Sequence, residues 1–156
     1  MLGLILLTNI SQAHDFVMNI DKYTNNVVWN ETPQVIICES QTVFTKKEVE
    51  HVLESWGKKA VPVSVVEKCN YAVQYGVIKI VDARNINVAE LWGSTKYDYT
   101  VNLTPAGKQY RTYLGAVVQL DMTVRNIDLL MHEMGHAFGY KHYDESYDIM
   151  NTNRFY

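Results

Sequence analysis

The sequence has no stripe of clustered Lys and Arg, and its formal net charge is −3. Nothing in that balance attracts nucleic acid or an acidic membrane surface. The N-terminal apolar run, Leu2 to Leu7, is far too short to span a bilayer. No repeat, low-complexity tract or Pro/Gly-rich linker divides the 156 residues, so a single domain with a substantial core is expected. A content of 47% apolar and 20% charged residues excludes a disordered chain. Cysteine is scarce, with only Cys38 and Cys69. Such a pair suggests one disulfide in an exported protein and two buried thiols in the cytosol. If bridged, the loop of about thirty residues would contribute roughly 3–4 kcal/mol through loop-closure entropy.

Tyrosine is plentiful, at eleven residues. The rings either line a cleft or pack on strands with their hydroxyls in water. The N-terminus has part of an export signal. Ser11-Gln12-Ala13 after the apolar run suits cleavage before His14, giving a signal peptide over 1–13 and a mature domain over 14–156. No basic residue precedes the run, and a buried N-terminal strand is the alternative. Secretion or a periplasmic location is expected, with virion-associated and cytoplasmic locations left open.

Local patterns then order the elements. Gln34 to Glu39 reads as a buried strand behind Pro33. Thr45-Lys46-Lys47-Glu48 is a capping box. Val49, Val52, Leu53 and Trp56 follow on one helical face, and Gly57 stops the helix. Gly76 to Asp82, Gly93 to Thr104 and Tyr113 to Asp121 read as strands, the middle one as an exposed edge. Asn126 can cap a last helix whose Ile127, Leu130, Met131 and Met134 pack inward. The order predicts an α+β fold, a twisted mixed β-sheet backed by two main helices.

That last helix carries the chemistry. His132, Glu133, His136, Gly139 and His142 form an unbroken H-E-x-x-H-x-x-G-x-x-H string. Positions i and i+4 share a helix face, so His132 and His136 can converge on one ion. Gly139 lets the chain leave the helix with φ > 0 and bring His142 back as a third ligand. Three protein ligands leave a fourth position open, the mark of a catalytic rather than a structural zinc. Glu133 can serve as general base to a water there. Five fixed positions would coincide by accident in roughly one such chain in tens of thousands. His14 and His51, outside the string, read as solvated residues.

The string resembles the zinc signature of the metzincin metallopeptidases, which also carry a methionine turn shortly after the third histidine. Met150, in Asp148-Ile149-Met150-Asn151, stands at a suitable distance for it. The resemblance makes Met150 a hydrophobic base beneath the metal. Gly115 to Asp121 ahead of the helix, and Trp92-Gly93-Ser94-Thr95, are similar to the matrixin branch, the latter to the start of its substrate-side edge strand. Two features depart from the pattern. Tyr143 follows the third histidine, where matrixins have Ser and adamalysins Asp, which leaves the subfamily open. Only six residues follow Met150, which implies a truncated C-terminal subdomain.

The resemblance implies a zinc endopeptidase with one catalytic Zn2+, monomeric, with polypeptide as its partner. Gly93, Ser94 and Thr95 would contact substrate, and so would Tyr143 and Tyr147, either of which could donate to an oxyanion. A zinc-stiffened binding protein would leave Glu133 without a role. A zinc amidase acting on a non-protein substrate would use the same residues.

Overall fold

In the computed structural model, the described residues are 18, 20–23, 25, 27–82, 93–123 and 125–152. They form an α+β fold with a six-stranded sheet and two α-helices. The strands are β1 (Val27–Trp29), β2 (Gln34–Cys38), β3 (Val63–Val66), β4 (Val77–Asp82), β5 (Gly93–Leu103) and β6 (Gln109–Leu120). The helices are α1 (Lys46–Ser55) and α2 (Ile127–Ala137). The proposed leader over 1–13, Trp92 and His14 lie outside the described residues.

The sheet is mostly parallel. β6 is its longest strand and takes β5 antiparallel along its full length. The opposite edge of β6 is shared by β1, paired at Arg111 to Tyr113, and β4, paired at Ala116 to Leu120. β2 and β3 continue the sheet outward, both parallel. β5 therefore presents one backbone edge with no strand partner among the described residues, as the alternation in Gly93 to Thr104 predicts.

Both faces of the central strands are covered, which is why all six residues of β4 are buried rather than every second one. Ile78 and Ile80 face the helices and join the main core. Val81 and Val117 face the other way and pack with Cys38, Cys69, Tyr71 and Val73. The segment covering this second face is tied down by the Cys38–Cys69 disulfide. Lys79 is tied to the same segment. Its Nζ donates to Asn70 Oδ1 at 2.8 Å and to the Ala72 carbonyl at 3.0 Å, and desolvation pushes its ammonium pKa down.

The helices form as their termini predict. The Thr45 hydroxyl accepts from the Glu48 N–H, and the Glu48 carboxylate accepts from the Thr45 N–H at 2.8 Å. Asn126 caps α2 by accepting from the amides of Asp128 and Leu129. The Trp56 indole N–H donates to the Met131 carbonyl at 2.9 Å and ties the end of α1 to the middle of α2.

Two details differ from the sequence reading. α2 is buried well beyond the inward-packing face expected of it. Leu129 to Gly135 are all buried, His132 and Glu133 among them, because the sheet lies against one side and α1 with the Met150 turn against the other. Ile127, expected inside, is only half-buried. β1 and β3, of three and four residues, are too short and too exposed to show a period. No helix among the described residues is long and apolar enough to cross a membrane.

The disulfide makes a direct prediction. A Cys38→Ser/Cys69→Ser variant should lose about 3–4 kcal/mol of unfolding free energy, read by urea titration beside the oxidised parent. A loss under about 1 kcal/mol would mean that packing of the 67–75 segment already holds the second face without the bond.

Candidate metal centre

α2 and the turn after it bring three imidazoles to one point. His136 Nε2 lies 3.1 Å from His132 Nε2, one turn earlier, and 3.1 Å from His142 Nε2. His142 returns because the chain reverses at Gly139, whose φ is +92°. A Cβ there would also stand 2.5 Å from the Val27 Cβ and 2.9 Å from Asn25 Oδ1. Only glycine satisfies both the backbone angle and the close approach.

The donor chemistry of the rings fits a cation. His132 Nδ1 lies 2.7 Å from the Ile149 carbonyl, and His136 Nδ1 lies 2.8 Å from the Tyr140 carbonyl. A carbonyl can only accept, so both Nδ1 atoms carry the proton, and in the neutral ring each Nε2 is then a bare lone pair. Two lone pairs facing at 3.1 Å repel unless a cation sits between them. Four tetrahedral ligands at about 2.0–2.1 Å stand about 3.3–3.4 Å apart, close to the spacing here. These three imidazoles could hold a metal ion, with two of their tautomers already fixed by backbone carbonyls.

Burial favours the form that binds metal. It pushes the His136 imidazole down to about 4, opposed by the Tyr140 carbonyl and assisted by nearby His142. Burial lowers His142 as well, opposed by Asp144. Both rings are neutral at pH 7.

Glu133 is fully buried beside this cluster. Thr95 of β5 fixes it. The Thr95 hydroxyl lies 2.8 Å from Glu133 Oε2 and 2.9 Å from the Glu133 carbonyl, so its single proton has two acceptors on the same residue. Gly93 makes the room, since a Cβ there would come within 3.0 Å of Glu133 Cγ and Oε1. Gly93 and Thr95 therefore act on Glu133 itself, a role that the edge-strand reading did not foresee. Ser94 donates to Gln119 Oε1 at 3.2 Å.

A turn over residues 148–151 closes the cluster from below. Asp148 is buried, and its Oδ1 accepts from the Tyr23 hydroxyl at 2.7 Å and the Met150 N–H at 2.8 Å. This holds the Ile149 carbonyl toward His132. Met150 is fully buried, and a Cβ on Gly135 would lie 2.6 Å from both its Sδ and Trp56 Cζ2. The sequence reading found Met150 and missed Asp148, Tyr23 and Gly135. Asp two positions before a buried apolar residue is an available turn signal. Tyr23 carries none, being 125 residues from its partner.

A cleft of about 600 Å³ is lined by His136, His142 and Glu133 together with residues of β5 and β6, with Tyr97, Tyr113 and Tyr140 among its lining. Tyr143 and Tyr147 do not line it. Tyr143 turns its ring to Tyr23, 5.8 Å away, and packs on the core. Tyr147 is 71% exposed, at φ 66° in the turn. The position of these two rings offers no support for an oxyanion donor or a substrate contact.

The lowered His136 sets a pH dependence for the metal-free protein. Its folded pKa of about 4 lies below the unfolded value of 6.5, so the unfolded chain takes up the proton first. This group costs no stability above pH 6.5. Stability is lost progressively as pH falls from 6.5 toward 4. Urea midpoints of chelator-treated parent and His136→Asn, measured at about pH 7.5 and about pH 5.5, should show the larger drop in the parent. Equal drops would remove His136 as the cause.

Compared with known proteins, the chain matches no family model and no curated sequence.

Proposed function

We propose that this chain is a zinc-dependent endopeptidase of metzincin type, nearest the matrixin branch, acting as an exported monomer on extended polypeptide. One observation carries the reading: three converging Nε2 atoms stand beside a buried carboxylate that is not one of the three. A purely structural site gains nothing from burying that carboxylate, which costs solvation. His132, His136 and His142 would hold the ion. When bound, zinc would supply Lewis acidity, bringing the pKa of a water down toward neutrality and polarising the scissile carbonyl.

The protein's own residues do the rest. Glu133 takes the proton of the attacking water and returns it to the departing amine, so no covalent acyl-enzyme forms and neither cysteine is needed. Thr95 positions the carboxylate. Its hydroxyl donates to Glu133 Oε2 while the acid is ionised, and it can turn its proton to the Glu133 carbonyl once the acid is protonated. The edge of β5, without a strand partner among the described residues, offers backbone groups to an extended peptide, giving affinity through sheet hydrogen bonds. The disulfide accords with export to an oxidising compartment.

Zinc content and casein hydrolysis of variants test this. Glu133→Ala should keep one zinc per chain and lose at least about 10²–10⁴-fold in rate. Thr95→Val should lower kcat with KM little changed, and Thr95→Ser should restore most of it. A Glu133→Ala protein that holds zinc and still cleaves at the parent rate would contradict the assignment.

A further inference from the structure

Beyond the histidines the cleft is aromatic and cationic. Arg111 of β6 lines it, in register with Val27 of β1 on one side and Val101 of β5 on the other. Its guanidinium lies 4.6 Å from the centre of the Tyr99 ring. Tyr97 and Tyr113 stack at 4.5 Å next to it. Stacking on Tyr99 restrains the guanidinium without using its in-plane N–H donors. Among the described residues Arg111 has no carboxylate partner. Lys141 adds a second positive charge to the lining, and Glu133, the one acid there among the described residues, is engaged by Thr95.

A planar, restrained, partly buried guanidinium with no acid beside it among the described residues is suited to receive a carboxylate through two parallel hydrogen bonds. Its place along the strand says where that carboxylate would sit. Thr95 touches Glu133, and the guanidinium stands over Tyr99, four residues further along β5, or about 13 Å in an extended strand. A peptide paired antiparallel with β5 runs its N-terminal half over Tyr97 and Tyr99.

We propose that Arg111 makes the cleft selective for substrates carrying Asp or Glu about three to five residues before the scissile bond. This rests on the peptidase reading above and adds to it a substrate class. It also accounts for the local positive charge in a chain whose net charge is negative.

The test uses a cleaved peptide in which each of those three positions carries Glu or Gln in turn, with kcat/KM measured for both. The parent should favour Glu at one of them by about tenfold, the scale of a charge-assisted hydrogen-bonded pair. The Glu/Gln ratio should approach one in Arg111→Gln and fall below one in Arg111→Glu. In the parent it should shrink at high salt. A parent ratio near one at all three positions, a preference confined to the C-terminal side, or an unchanged ratio in Arg111→Gln with parent zinc content would each overturn the inference. A parent that cleaves neither these peptides nor casein would instead remove the peptidase reading, and this inference with it.

Discussion

Two imidazole nitrogens with bare lone pairs held 3.1 Å apart are the constraint around which the rest of the molecule is arranged. Left alone, that contact is repulsive, so the fold must hold it from outside until a cation relieves it. It does so through the far nitrogen of each ring. The Ile149 carbonyl holds His132 and the Tyr140 carbonyl holds His136. Each carbonyl is placed in turn by something rigid. The Asp148 carboxylate, anchored to the Tyr23 hydroxyl, shapes the turn that presents Ile149. The reversal at Gly139 presents Tyr140.

The helix bearing these rings is enclosed rather than laid on a surface. The sheet supports one side, while Trp56 and Met150 press on Gly135 from the other. Enclosure explains why His132 and Glu133 are buried, and burial favours the neutral form of His136 and His142. The second face of the sheet is sealed separately, by the disulfide-tied segment over Val81 and Val117. The floor of the site is therefore stiff on both sides. The freedom lies at the β5 edge, where among the described residues the backbone groups have no strand partner and the Tyr99–Arg111 pair stands in the cleft.

Much of this was legible in the sequence because it is local. The capping box at Thr45, the Asn126 cap, the β-branched run of β4 and the histidine spacing all act within a few residues, and each appears where its pattern placed it. What was not legible depends on contacts across the chain. Tyr23 meets Asp148 from 125 residues away, and Gly135 is required by Trp56 and Met150 rather than by any backbone angle. Thr95, read as a substrate contact at the start of an edge strand, lines the cleft and also lies on Glu133, a contact that no local pattern announces. For Tyr143 and Tyr147 the resemblance implies a place at the site, but neither ring lines the cleft: Tyr143 packs on the core and Tyr147 is exposed.

X-ray absorption at the zinc edge, on protein purified without added metal and then loaded with one equivalent of Zn2+, reads the ligand set of the three-histidine centre. Three imidazole nitrogens at about 2.0–2.1 Å and one oxygen ligand are expected, with the imidazole count falling to two in His142→Ala. A spectrum with sulfur ligands, with fewer than three imidazoles in the parent, or with no change in His142→Ala would contradict it.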